Sequence, residues 1–198
     1  MNPLDRDVFF LPFRRVLRKR FGNAYGTQLW QEAGMDYAAT VKSRPSLKKH
    51  KGAMILPAVS LYRVLEKHGE AAEEILNAYG KSMGKIFARA VYGITSIPGV
   101  PSLIWNNVET IGDRMSSEKL GYRRELVSEP PYLYGINILS CPYHELAKEL
   151  GCEAASRCIC SMDKEYMKGF RGIRYERTTA VSEGAPYCDY RLRKEERK

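Results

Sequence analysis

Apolar residues recur every three or four positions through the first part of the chain, up to about residue 120, and at alternate positions over much of the rest. The first spacing is that of one face of an α-helix, the second that of a half-buried strand. Phe9, Phe10, Phe13, Val16 and Leu17 predict an amphipathic helix over Asp7–Phe21 with its arginines opposite. Gly22 stops it, and Pro12 inside the pattern places its start nearby. Leu29, Trp30, Ala33, Tyr37 and Val41 predict a second helix over Ala24–Val41. Lys42–Gly52 is polar and basic, carries Pro45, and reads as an exposed connection. Ile55, Val59, Tyr62, Val64 and Leu65 mark a third helix, Ala53–Lys67, with Pro57 tolerated in its first turn. The fourth, Glu70–Tyr92, has Glu70, Glu73 and Glu74 at its start, where the helix dipole favours them. Gly93–Pro101 interrupts the pattern and is unusually apolar for a loop, so it is expected to be buried or to line a pocket. Ser102–Glu118 resumes as a helix with Ser102 as its N-cap.

The period then changes. Tyr122–Ser128 and Tyr132–Ser140 read as strands around Glu129-Pro130-Pro131, and Pro142–Leu150 and Glu153–Lys168 as helices. Ile173–Val181 and Tyr187–Arg193 read as a closing hairpin turned by Ser182-Glu183-Gly184-Ala185-Pro186. Cys188, Tyr190 and Leu192 then share one face of the last strand, and Asp189, Arg191 and Arg193 the other. Asp189 and Arg191, two apart, make either a surface ion pair or one side of a polar pocket. Helices, two strands, helices, two strands define an α+β fold: a helical N-terminal half, then a mainly antiparallel four-stranded sheet with two inserted helices. One domain is expected over residues 1–198, with a helical part (1–120), a sheet-bearing part (121–193) and a short basic tail (194–198).

Composition narrows this picture in two ways. A chain of 198 residues, 44% apolar, can bury one substantial core. No stretch approaches the roughly 20 apolar residues that cross a bilayer, and the polar start Met1–Asp7 does not resemble a signal peptide. The expected location is cytoplasmic, with the five cysteines as free thiols. The net charge of +9 is concentrated at Arg14–Arg20, Lys48–Lys51 and the C-terminal tail. Such clusters are solvated surface, or they meet a nucleic acid, an anionic membrane face or an anionic small molecule. No helix-turn-helix, RNA-recognition or zinc-finger pattern is present, so nucleic acid is not an expected partner. A small-molecule carboxylate needs only one or two of these cations. The pattern does not set the number of chains that assemble.

Chemistry-bearing residues concentrate late. All five cysteines, Cys141, Cys152, Cys158, Cys160 and Cys188, follow residue 140. Free cysteine also packs as a small hydrophobe, but convergent thiols beside Asp and His are how nucleophilic and metal sites look. The spacing Cys158-Ile159-Cys160 is not that of a structural zinc site. A looser divalent-metal site mixing Cys or His with carboxylates stays open, and so does a metal-free site. Cys160 and Asp163 stand three apart on one helix and share a face. His144, three beyond Cys141, is a candidate base for a thiol, or simply a surface residue.

Glu176-Arg177-Thr178, Val181, Gly184 and Cys188-Asp189-Tyr190-Arg191 resemble the C-terminal signature of the L-2-amino-thiazoline-4-carboxylic acid hydrolase family. Cys141-Pro142-Tyr143 after an apolar strand and Cys160-x-x-Asp163 on a helix are similar to the same family's pattern, so the resemblance spans Tyr132–Leu192. Ala185 departs from the acidic residue common after the glycine, and Tyr190 from the commoner Phe. The resemblance implies hydrolysis of a cyclic amidine. Water adds at the carbon between sulfur and two nitrogens, the ring C–N bond breaks, and S-carbamoyl-cysteine results. It implies Cys160 or Cys188 as nucleophile. It implies Asp163 or Asp189 as base and acid, and Arg177 or Arg191 as the clamp on a carboxylate. In outline the element order also resembles small-molecule-binding domains of the vinyl-reductase type, which implies a non-catalytic binder or sensor.

Overall fold

Pro12 decides where the first long helix begins. In the computed structural model, which describes residues 2–49 and 51–195, α1 runs Phe13–Phe21, not from Asp7. The Asp7 carboxylate instead accepts the backbone N–H of Phe9 and of Phe10, each at 2.9 Å, and folds the preceding segment into turns. Gly22, at φ 83°, ends α1, and α2 (Asn23–Ser43) begins at once. Two short 3-10 turns follow where a loop was expected, and α3 (Leu56–Lys67) starts with Pro57 in its first turn. His50 and the last three residues of the basic tail lie outside the described residues.

α4 (Ala72–Thr95) runs through Gly93, further than the composition suggested. The apolar break is neither buried nor pocket-lining: Ile94 and Ile97 are exposed, at 58% and 56%. The helix expected over Ser102–Glu118 is two helices, α5 (Val100–Asn106) and α6 (Val108–Met115), hinged at Asn107. Gly99 rather than Ser102 caps α5 in the left-handed conformation, because Pro101 fits the first turn and pulls the start forward.

The sheet contains β1 (Arg123–Leu126), β2 (Leu133–Ser140), β3 (Ile173–Glu176) and β4 (Cys188–Lys194) in the order β1-β2-β4-β3, all antiparallel. α7 (Pro142–Glu149) and α8 (Ser156–Tyr166) are inserted between β2 and β3. The α+β reading therefore stands. β3 stops short of the predicted Val181 for a visible reason. The next N–H groups, those of Thr178 and Thr179, bond to the Asp189 side chain at 2.8 and 2.6 Å instead of continuing the ladder.

Apolar side chains gather in two cores. One joins α1–α4 to α7 and α8 through Trp30, Phe13, Leu61 and Leu76. The other packs Trp105 against Tyr134, Ile136, Ile173 and Leu192 of the sheet. α8 belongs to the seam between them, and glycines set its height. A Cβ at Gly80 would run into the carbonyl oxygen of Cys158, and one at Gly84 into that of Met162. α4 and α8 thus meet backbone to backbone. Gly80→Ala is expected to cost about 1–3 kcal/mol of stability through overpacking. Chemical denaturation checks it, and an unchanged midpoint would mean that the two helices separate freely.

Candidate functional site

The alternation along β4 sorts the candidate residues. Cys188, Tyr190 and Leu192 face a cavity of about 690 Å3 enclosed by the sheet, α8 and the α5–α6 pair. Asp189 and Arg191 are absent from its wall. Six of the candidates named from the sequence do line it: Cys141, His144, Cys160, Asp163, Arg177 and Cys188.

Asp163 and Arg177 form the charged centre. Arg177 Nη1 stands 3.3 Å from Asp163 Oδ2, and Nη2 donates to the Cys160 carbonyl at 2.8 Å. The Arg177 side chain is only 7% exposed, whereas Asp163 keeps 26%, on the cavity it lines. Burial raises the Asp163 carboxyl to about 6, against the opposing pull of Arg177 and of Tyr175 nearby. A carboxyl poised there can take or give a proton near neutral pH.

The thiols are held in the opposite state. Cys141 caps the start of α7, and the backbone N–H groups of His144 and Tyr143 favour its thiolate, yet burial dominates and pushes it up to about 12. Burial also raises Cys160, whose sulfur accepts from the Ser182 hydroxyl at 3.2 Å. It raises Cys188 likewise, although the Val181 N–H reaches that sulfur at 3.3 Å. For Cys141, at about 12, the thiolate is on the order of one part in 10⁵ at pH 7. The His144 ring turns its Nδ1 to Ser156 Oγ, 3.1 Å away.

Asp189 and Arg191 are occupied elsewhere. Partial burial opposes ionisation of Asp189, but the hydroxyls and N–H groups of Thr178 and Thr179 outweigh it and hold the carboxyl at about 2. The Arg191 guanidinium donates to the carbonyls of Ile136 and Tyr190 and to Asn137 Oδ1. Asp189 therefore ties the hairpin, and Arg191 ties β4 to β2. Asp189→Asn is expected to lose about 1–2 kcal/mol at pH 7, allowing for solvent screening. Because the folded value lies below that of the unfolded chain, this stability is present above about pH 4 and is lost as pH falls toward 2. Urea titrations at pH 7 and pH 3 test it, and an equal deficit at both would contradict the charge-based account.

Tyrosines given no chemical role from the sequence complete the wall. Tyr122, Tyr143, Tyr166 and Tyr190 line the cavity. Burial raises Tyr122, Tyr166 and Tyr190 well above the usual phenol range, so they remain neutral donors. Ser182, buried beside Cys160, was also missed. A signal existed for the phenols: eight of the chain's thirteen tyrosines lie beyond residue 120. Among the described residues, no three His, Cys, Asp or Glu side chains converge to hold a metal ion. No helix among them is long and apolar enough to cross a membrane.

The fold is thus α+β, and its mainly apolar cavity carries the Asp163–Arg177 pair in its wall. The profile of the L-2-amino-thiazoline-4-carboxylic acid hydrolases matches residues 48–192, well upstream of the region that carried the motifs. The chain belongs to that family. A search of curated proteins returned no match. Among solved structures, the chain is similar to trafficking protein particle complex subunit 3 from Naegleria fowleri, covalently bound to palmitic acid. That likeness is 15% identical over 74% of this chain and 95% of the other, with a TM-score of 0.39. It is also similar to an H-NOX protein from S. oneidensis in the Fe(II)NO state, 12% identical over 95% and 98%, with a TM-score of 0.41.

Proposed function

We propose that the protein hydrolyses a ring C–N bond in a small cyclic amidine of the 2-aminothiazoline-4-carboxylate type. The observation that carries this reading is the Asp163–Arg177 pair, 3.3 Å apart on the wall of a mainly apolar cavity. Asp163 takes a proton from water as the water oxygen adds to the amidine carbon. It returns that proton to the ring nitrogen, and the remaining proton of the added hydroxyl passes to the same nitrogen as the C–N bond breaks, leaving a carbamoyl group on sulfur and a free amine. Arg177 has five N–H donors and places two on Asp163 and the Cys160 carbonyl, which leaves donors for the substrate carboxylate. The neutral phenols serve the developing charge at the amidine carbon. In this scheme Cys160, Cys188 and Cys141 are neutral thiols that shape the wall, not nucleophiles.

The test is turnover of 2-aminothiazoline-4-carboxylate to S-carbamoyl-cysteine by the wild type, by Cys160→Ser and by Cys188→Ser. Water chemistry at Asp163 expects both variants within about ten-fold of wild type. A loss as large as that of a removed nucleophile, on the order of 10⁴-fold or more, in either would move the reaction to that sulfur. A second reading is a non-catalytic binder, favoured by the mainly apolar wall. It expects ligand binding with no turnover in any of the three proteins.

A further inference from the structure

The cavity is graded from one end to the other. Strand register lays out the order: Ile138 opposite Cys188, Ile136 opposite Tyr190, Tyr134 opposite Leu192. At the Cys188 end lie Cys141, His144 and Cys160, and the Asp163–Arg177 pair is near by. At the Leu192 end the wall is Ile173, Met167 and Phe170, with Ile104 and Val108 above them. The one polar atom contributed by Tyr134 at this end, its hydroxyl, is engaged by Arg124.

α6 is the unusual part of this end. Val108, Ile111, Gly112 and Met115 recur at helical spacing, and all of them line the cavity. Yet none of the α6 side chains is buried: Ile111 is 38% exposed and Met115 58%. A helix of eight residues is marginal in isolation and ordinarily depends on packing its apolar stripe. α6 is instead tied at its polar side, by the Asp113–Arg124 ion pair and by Ser116 Oγ near Arg124. Val108 packs on the sheet core and Gly112 lies close against Tyr134, while Ile111 and Met115 line the cavity without being buried. The cavity falls within the roughly 300–1,000 Å3 range of sites that take drug-sized ligands, far more than one five-membered ring with its carboxylate fills.

We infer that the ligand is an amphiphile whose polar head sits at Asp163–Arg177 and whose extended apolar body lies under α6. The inference rests on the proposed reaction for the identity of the head, a cyclic amidine. The placement of the body does not depend on it. The occupant is a small molecule, because the cavity's volume suits one and its wall is mainly apolar, with Arg6, Asp7, Lys51 and Arg114 as charged members besides Asp163 and Arg177. Substrates bearing an alkyl or aryl group of several carbons are then preferred to the bare ring.

The experiment is calorimetric titration of the full chain with two homologous series, n-alkylamidines and n-alkyl carboxylates, each from two to ten carbons. Affinity is expected to rise with chain length, approaching four-fold per methylene where the chain is fully buried. Val108→Trp, which fills the apolar end, should flatten that rise. Ile111→Asn should weaken it. Ile111 is already partly exposed, so the second variant keeps the test decisive if the first fails to fold. A steep amidine series, flattened by either folded variant, supports the inference. A steep carboxylate series beside a flat amidine series supports the placement of the body and overturns the amidine head, and with it the proposed reaction. Two flat series, or steep series indifferent to both variants, overturn the inference whatever the turnover.

Discussion

At pH 8, Arg177→Met is expected to lower the unfolding free energy by about 3 kcal/mol, the low end for breaking a buried ion pair. The cost arises at the partner. Methionine keeps much of the volume of a side chain that is only 7% exposed, so little packing is lost. Asp163 is left with a charge that burial already disfavours and without the guanidinium that opposed the penalty. Two controls make the attribution specific. The deficit should shrink at pH 5, where Asp163 takes up a proton. It should also shrink in the double variant Arg177→Met with Asp163→Asn, where no charge remains. Urea unfolding at pH 8 and pH 5 supplies both numbers. A deficit independent of pH and of the second substitution would mean that Arg177 acts through packing or through its bond to the Cys160 carbonyl.

The largest effect on activity is expected from Asp163→Asn, a fall in turnover of roughly 10²–10⁴-fold, the usual contribution of a general acid–base group. The pH profile distinguishes this from a merely structural loss. In the wild type, kcat/KM should rise as pH rises through about 6 and level off above it, because the ionised carboxylate accepts the proton from water. Asp163→Asn should lose that limb as well as the rate. Stability runs the other way. The folded-state value lies above the ordinary 3.8, so protonation favours the fold. The contribution of this group is complete below about pH 4 and declines as pH climbs through about 6. The protein therefore gives up stability over the same range in which it gains its base. A wild-type activity profile flat from pH 5 to pH 8, or a folded Asp163→Asn variant that keeps the limb, would remove Asp163 from the reaction.

The parts of this arrangement that were legible in the sequence are those that depend on period alone. Helical spacing puts Cys160 and Asp163 on one face of α8, and strand alternation parts Cys188 from Asp189 on β4. Both assignments agree with the cavity wall. What period cannot decide is which of two equivalent groups meets a partner from elsewhere. Arg177 and Arg191 were equal candidates for the substrate clamp. Only the fold shows that Arg191 is taken up by β2 and that Arg177 reaches α8. Composition misled at Gly93–Pro101, where apolar character suggested burial but the isoleucines are exposed. The hinge at Asn107 was invisible for another reason: neither glycine nor proline marks it, and the apolar spacing continues through it. The wall tyrosines were given no chemical role, although Tyr143 and Tyr190 stand in the motifs, because aromatic side chains suit both a core and a pocket.

The two ends of the cavity stand on unequal foundations. α8 presses its backbone against α4 at Gly80 and Gly84, with no side chain between to absorb a change. α6, by contrast, carries nothing buried. Substitutions at surfaces of the second kind generally change stability by less than about 0.5 kcal/mol. Over evolutionary time the helix that carries Asp163 is therefore confined to one geometry, while Ile111 and Met115 of α6 can change at little cost in stability, as Gly112, close against Tyr134, cannot.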